Sequence, residues 1–248
     1  MGFDKGVQVG ILPLQYNEKS QAYEFFGGGY MEKNGVLIED KYSNCIPQFY
    51  NFIDKHCDLN DIDGNDPFTQ NFEFEEYKYT YNLLDISNID ELIAAKFKSK
   101  SKANLIKKIK QVEAKKPVVI ENNFQDLNLL MELNKKNFGQ DSSFNFPFRE
   151  QIFAYLLNLK LDFRMKTFLI QDQKASVSLS VKYGDTYTYM NAGTNKVDHP
   201  NLGTYVIWEN IKQAINDKVE IFDAGVEDLG WKERWHLDRT PLYKLIKG

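Results

Sequence analysis

Residues 219–238, VEIFDAGVEDLGWKERWHLD, crowd reactive side-chain types at the end of one apolar, strand-like run. Asp223 and Gly225 close the run, and Glu227, Trp231, Lys232, Arg234 and Trp235 follow at once. A carboxylate can accept a proton, an ammonium or guanidinium can hold an anion, and tryptophan faces can enclose a substrate. Plainer readings stand beside these. Asp223 can cap a short helix, Lys232 between Trp231 and Trp235 can form a surface cation–π contact, and Glu227 can pair with Lys232 or Arg234.

Other chemistries lack their residues. The three histidines, His56, His199 and His236, have no metal-ligand spacing. Asp58–Phe68 has acidic spacing faintly like a calcium loop but lacks its closing glutamate. Gly27, Gly28 and Gly29 follow a strand pattern, with neither a helix pattern nor Lys-Ser/Thr after them, so they read as a turn rather than a phosphate loop. Cys45 and Cys57, the two cysteines, fall on one apolar helical pattern and read as reduced, buried thiols. No Ser-His or Cys-His pattern marks a covalent nucleophile.

Composition sets the frame. The 248 residues are 42% hydrophobic and 27% charged, with 18 Phe and 14 Tyr, as expected for a globular chain with a ring-rich core. The net charge of −4 argues against a molecule that binds nucleic acid over its whole surface. No run reaches the roughly 18 apolar residues of a membrane span, and the start has no leader pattern, so a cytoplasmic location is expected. The chain opens almost directly into a strand pattern, which is expected of a fold that begins earlier.

In the first part, KGVQVGILPLQY predicts a strand over about 6–12 with QAYEFF as its hairpin partner. CIPQFYNFIDKHC predicts a helix, and FEFEEYKYTYNLLDI a strand. NIDELIAAKFKSKSKANLIKKIKQVEAKK predicts a long amphipathic helical region, capped at Asn88 or Asp90 and broken or restarted at Ser99 or Ser101. Lys96–Lys116 holds nine lysines and one acid, Glu113. Such a face is either simply solvated or a guide for a polyanion. KPVVIEN then predicts a short buried strand, and DLNLLMELNKKNF and FREQIFAYLLNLK predict helices, the second with Phe148, Ile152, Tyr155 and Leu156 on one face. MKTFLIQDQ, KASVSLSVKYG and DTYTYMNAGTN predict an antiparallel meander, LGTYVIWENIKQAIND a helix, VEIFDAG a buried strand and TPLYKLI a closing strand.

This order resembles the GNAT acyltransferase fold, and more closely its Fem-like branch of paired GNAT lobes. The resemblance rests on FKSKSKANLIKKIKQ, on QDQKASVSLSVKYGDTYTYMNAG, and on HPNLGTYVIWENIKQAINDKVEIFDAGVEDLGWKERW. It implies an α+β class: a mixed, mostly antiparallel sheet flanked by helices, with a reduced N-terminal GNAT-like lobe over 1–89. A lysine-rich linking helix over 90–117 and a C-terminal acyltransferase domain over 118–248 would follow. Where the family has Arg/Gln-x-x-Gly-x-Gly/Ala to grip coenzyme A pyrophosphate, this chain has Asp198-His199-Pro200-Asn201-Leu202-Gly203-Thr204. One glycine remains and no Arg or Gln leads, so the grip should be weaker, although first-turn N–H groups still suit an anion.

The resemblance further implies that the strands holding TYTYMNAG and VEIFDAG splay and receive the donor between them. Tyr187 or Tyr189 would then protonate the leaving thiolate or ribose oxygen, unless their alternation only packs strands. A strand N–H near Met190 or Asn191 would hold the oxyanion, Asp223 or Glu227 would take the ammonium proton, and Lys232 would meet phosphate or developing charge. Asn191, Asn201, Leu202, Gly203, Thr204 and Tyr205 would line the donor, and Trp208, Trp231 and Trp235 the substrate. The donor would be acyl-CoA or aminoacyl-tRNA, the latter met by the Lys96–Lys116 helix, and the acceptor a small-molecule or peptide amine. No metal is implied. A cleft plugged by Tyr205, Trp208 or Phe222 would instead mark an inactive binding module.

Overall fold

The computed structural model describes residues 1–28, 32–53, 56–64, 73–146, 148–226 and 230–246. In chain order they form β1 (Gly2–Asp4), β2 (Val7–Ile11), β3 (Leu14–Asn17), β4 (Ala22–Phe25), β5 (Leu37–Ile38), α1 (Ile46–Asn51), β6 (Ile62–Asp63) and β7 (Glu73–Leu84). There follow α2 (Ile89–Lys96), α3 (Ser99–Glu113), β8 (Val118–Glu121), α4 (Leu127–Phe138), α5 (Arg149–Leu156), β9 (Asp162–Ile170), β10 (Gln173–Tyr183) and β11 (Thr186–Thr194). The chain closes with α6 (Leu202–Asn216), β12 (Ile221–Val226) and β13 (Asp238–Ile246).

These elements divide into two compact units. The first comprises Met1–Tyr81, Val226–Leu229 and Arg239–Gly248, and the second Asn82–Gly225 and Gly230–Asp238. In the first unit, β2 lies between β1 and β5, β13 lies between β6 and β7, and β3 pairs with β4. The strand expected over 6–12 is therefore not the hairpin partner of β4. Pro13 breaks the run, and the residues after it start a new strand that turns back through Gln21 at φ 52°. The helix α1 stops at Asn51, so Cys57 lies beyond it in the apolar core and Cys45 sits just before its start. Of the three-glycine run, Gly29 lies outside the described residues, as do 65–68 of the loop with calcium-like spacing.

The second unit carries the candidate chemistry. Its strands run in the order β12–β11–β10–β9–β8, antiparallel except for β11 with β12. The meander forms as its alternation predicts. Gln171 and Asp172 both take positive φ, the geometry of a tight hairpin turn, and Gly184 does the same in the next. Alternation on β10 gives the sheet two different faces. Val177 and Leu179 join Leu130 of α4, Phe153 of α5 and Met165 of β9 in one apolar cluster. Ser178 and Ser180 point the other way and bond Asn210 of α6.

The lysine-rich region is two helices, the second restarting at Ser99. Asn88 caps α2 by accepting from the N–H groups of Asp90 and Glu91 at 2.8 and 3.3 Å. The break falls at Phe97, which turns extended (φ −111°, ψ 126°) and buries its ring edge-on against Trp235 at 6.2 Å. Helix α5 is rotated from its expected face. Phe148 and Tyr155 are exposed, while Phe153 is buried against Phe144 at 5.1 Å between centroids. The strand β8 is not buried either. Among the described strands it has only β9 beside it, and Val118 and Ile120 remain 52% and 37% exposed.

One buried acid ties α4's start to this sheet. Asp126 accepts from Lys174 Nζ at 2.6 Å, Thr167 Oγ1 at 2.7 Å and Asn123 Nδ2 at 3.0 Å. Loss of water pushes its carboxyl up, but Lys174 and Thr167 pull harder and hold it below the ordinary value. A depressed pKa adds stability above the unfolded value and loses it as pH falls through the folded one. Lys174→Met should therefore cost about 1–3 kcal/mol near neutrality. The gap to wild type should narrow in acid. Urea titrations at about pH 7 and about pH 3 check this, and a gap that widens in acid would refute it.

Candidate functional site

The parallel pairing of β11 with β12 covers only Thr186–Ile221, Tyr187–Phe222 and Thr188–Asp223. Beyond Thr188 the two strands are no longer paired, although β11 runs on to Thr194 and β12 to Val226. At the same level β11 carries a bulge against β10. Leu179 faces Asn191 and Ser180 faces Tyr189, so Met190 is the extra residue. A bulge leaves its extra residue unpaired in the ladder and re-aims the neighbouring groups.

Helix α4 explains how β11 tolerates the separation. Unpaired backbone carbonyls in a sheet interior are costly, and they need other donors. Asn134 Nδ2 donates to the Ala192 carbonyl and Asn137 Nδ2 to the Thr194 carbonyl, both at 2.8 Å. Asn134 is only 4% exposed and its Oδ1 accepts from Ser142 Oγ at 2.7 Å. Gly193 lets the helix approach, since a Cβ there would lie 2.5 Å from the Leu130 carbonyl. Sequence reasoning missed both asparagines. Their signal was two amides three residues apart in an otherwise amphipathic helix.

Around the parting, the expected side chains take distinct positions. Tyr187 is fully buried, stacks on Phe222 at 6.0 Å and donates its hydroxyl to Asn210 Oδ1 at 2.9 Å. Tyr189, two residues on, also faces Phe222, meets Trp231 edge-on at 5.9 Å, and is half-buried. Its hydroxyl makes no hydrogen bond to any described residue. Loss of water raises the pKa of both phenols, with Tyr187 adding to the effect at Tyr189. Asn191 accepts from Ser143 Oγ at 3.5 Å.

On the other strand, Asp223 Oδ1 accepts from the Gly225 N–H at 2.8 Å, and Gly225 takes φ 73°, which glycine adopts freely. Lys232 is 3% exposed, donates to the Gly225 carbonyl at 3.0 Å and lies 5.7 Å from the Trp231 ring. It fixes the turn at the end of β12. Trp235 is turned onto Phe97 and Trp208 is buried within α6. Glu227 lies outside the described residues.

The start of α6 is open. Asn201 sits at φ 69° before it and gives its side-chain amide to Gln111 of α3 at 3.0 Å rather than to the helix. Leu202 N–H bonds the His199 carbonyl and Tyr205 N–H the Asn201 carbonyl, while those of Gly203 and Thr204 make no such bond. Nothing lies within 4 Å of where a Gly203 Cβ would be. Leu202 is buried, and Tyr205 packs edge-on to Phe168 at 6.2 Å, its phenol pushed up to about 12 by burial and by Glu209 and Glu113.

A mostly antiparallel sheet with one parallel pair that parts midway, flanked by helices on both faces, defines a GNAT-type acyltransferase fold. Residues 99–233, more than half of the chain, match the family model described as acetyltransferase (GNAT) domain, and the chain belongs to that family. No curated protein matches it. Among solved structures it is similar to L-PGS from Bacillus licheniformis, at 11% identity and TM-score 0.58, over 86% of this chain and 75% of that one. It is similar to FemX at 11% identity and TM-score 0.54, over 88% and 82% of the two chains. It is also similar to a conserved protein of unknown function from Bacteroides thetaiotaomicron, at 13% identity and TM-score 0.59, over 90% and 78%. At such identities these likenesses speak for the fold, and they agree with a Fem-like GNAT protein. Among the described residues, no helix is long and apolar enough to cross a membrane.

Proposed function

We propose that the chain is an N-acyltransferase that moves an acyl group from acyl-CoA to a primary amine, in a cleft opening where β11 and β12 part. The observation that carries this reading is the end of pairing at Thr188–Asp223, level with the Met190 bulge and the unbonded Tyr189 hydroxyl. Residues 118–248 would be the catalytic domain, 90–117 its linking helices and 1–89 a reduced first lobe.

The chemistry needs few groups. The amine nitrogen attacks the thioester carbonyl, and its proton passes to Asp223, directly or through water. The backbone N–H groups at Met190 and Asn191 hold the oxyanion that forms. As the carbon–sulfur bond breaks, Tyr189 gives its proton to the leaving thiolate. Burial keeps this phenol protonated at neutral pH and makes it a weaker acid, so its proton leaves only as negative charge builds on the sulfur. Tyr187, whose hydroxyl is committed to Asn210, packs the floor. Lys232 keeps the β12 turn in place, and Trp231 shapes the wall. The free N–H groups of Gly203 and Thr204 at the start of α6 take donor phosphate.

A second reading, an aminoacyl-tRNA donor, is favoured by one observation. Lys98, Lys100, Lys102, Lys107, Lys108, Lys110, Lys115 and Lys116 form no ion pair with any described residue. They are free to meet a polyanion in a salt-dependent way.

Thermal unfolding with acetyl-CoA, longer acyl-CoAs and aminoacyl-tRNA, at low and moderate salt, separates these readings. A ligand at a hundred times its Kd adds about 2.7 kcal/mol of stability. Acyl-CoA should raise Tm. Gly203→Glu should abolish that rise without lowering the unliganded Tm, because the new side chain enters open space and repels phosphate. A rise with aminoacyl-tRNA alone would choose the second donor. No rise with any donor would leave a binding module without catalysis.

A further inference from the structure

Two cations flank the mouth where β11 and β12 part. The two strands are parallel, so the segments that follow them leave from the same end of the sheet. Lys196 lies two residues past the end of β11. Asn137 of α4 holds the Thr194 carbonyl at its base, and the next ring on α4, Phe138, has its centroid 5.0 Å from Lys196 Nζ. Arg234 lies on the short helical turn Glu233–Trp235, between β12 and β13. Trp231 brings that segment back onto β11 by meeting Tyr189 at 5.9 Å, and Arg234 Nε donates to the carbonyl of Gly230, beside Trp231.

Neither charge is neutralised. Both side chains are exposed, and neither makes an ion pair with any described residue. The acid of the first loop, Asp198, accepts instead from Asn195 Nδ2 at 2.8 Å. Both η nitrogens of Arg234 are without a hydrogen bond to any described residue. Loss of water lowers the Lys196 pKa and Arg234 lowers it further, so the two charges act on each other. Like charges held close repel, and an anion shared between them turns the repulsion into attraction. We propose that Lys196 and Arg234 together grip one oxyanion group, phosphate or carboxylate, of a substrate that enters between β11 and β12.

The two side chains have different parts in the grip. The guanidinium offers parallel N–H donors to two oxygens of one group, and the ammonium adds a point charge on a flexible stem. The bond from Nε to Gly230 fixes the plane of the fork. The loop that carries Lys196 leads into α6, whose Gly203 and Thr204 N–H groups make no backbone bond. A donor with several phosphates can therefore meet both places, whereas an acceptor amine bearing a carboxylate or phosphate needs the cation pair alone. Which of these molecules brings the group rests on the acyl-transfer reading, and the anion site itself does not.

Phenylglyoxal modification of arginine, mapped by peptide mass, tests the pair with inorganic phosphate as the probe at constant ionic strength. A ligand at about ten times its Kd leaves roughly a tenth of the sites free, so Arg234 should react about tenfold more slowly. Arg239, exposed and set against the rings of Tyr79 and Tyr81, should react at an unchanged rate. Lys196→Gln should keep the circular dichroism spectrum and raise the phosphate needed for half protection about tenfold, and Lys196→Arg should restore it. Coenzyme A then distinguishes the sources. Protection of Arg234 by coenzyme A at lower concentration than by phosphate assigns the group to the donor. Phosphate protection that persists with coenzyme A bound assigns it to the acceptor. Phosphate protection without any rise in Tm from acyl-CoA would keep the anion site and refute the acyl-CoA donor. Arg234 reacting equally fast at every phosphate concentration overturns the proposal. So does equal protection of Arg239, or full protection of Arg234 in Lys196→Gln.

Discussion

Asn210→Ala is expected to cost about 2–4 kcal/mol of folding stability, the largest single loss predicted for this chain. Asn210 lies on α6 with 1% exposure and uses both ends of its amide. Its Nδ2 donates to Ser178 Oγ at 3.1 Å and to the Val206 carbonyl at 2.8 Å. Its Oδ1 accepts from Tyr187 at 2.9 Å and Ser180 at 3.3 Å. Alanine strands a buried phenol and removes the partner of two buried serines. Its better helix propensity returns about 0.7 kcal/mol at most. The small serines of β10 let α6 sit close to the sheet.

The network has a signature that simple loss of packing lacks. Tyr187→Phe removes the donor that Asn210→Ala would strand. The double variant should therefore cost less than the two single costs added, by about 1 kcal/mol. Urea unfolding of the four proteins measures it. Strict additivity would show that Tyr187 and Asn210 act independently.

Much of the second unit was legible because its signals are local. Alternation marked the meander and its two-residue turns, the run LGTYVIWENIKQAIND marked α6, and Asn88 announced a helix start by its side chain alone. The losses came from tertiary context. Nothing in KPVVIEN says that β8 has one neighbour among the described strands, so its apolar run read as buried. The face of α5 was misjudged because Phe148 and Phe153 offer equally apolar stripes, and only packing against Phe144 selects one. The site was legible as a place more than as a set of roles. Tyr187 and Tyr189 stand two apart on one strand face and are indistinguishable by pattern. The register separates them: Tyr187 lies opposite Phe222 where the strands still pair, and Tyr189 lies just past the last pair. The asparagines that satisfy the freed strand, Asn134 and Asn137, sit on an element remote in sequence.

That separation of the two tyrosines gives the largest expected effect on activity. On the acyl-transfer reading, Tyr189→Phe should lower kcat about a hundredfold or more, the usual contribution of a positioned general acid. It should leave stability within about 0.5 kcal/mol of wild type. The ring contacts with Phe222 and Trp231 survive the change, and the hydroxyl makes no hydrogen bond to a described residue. Tyr187→Phe should do the reverse, losing stability through Asn210 with little change in kcat. The pH dependence follows from the direction of the shift. Burial raises the Tyr189 phenol above its ordinary value of about 10, so the donating form persists through neutral and mildly alkaline pH. Its contribution is lost only as pH rises through that raised value. An alkaline fall in kcat below about pH 10 therefore belongs to another group, and it should persist in Tyr189→Phe. Steady-state rates of the two variants with the donor found by thermal stabilisation decide the matter. Full activity in Tyr189→Phe would remove the phenol from the reaction and leave proton delivery to water at the parted strands.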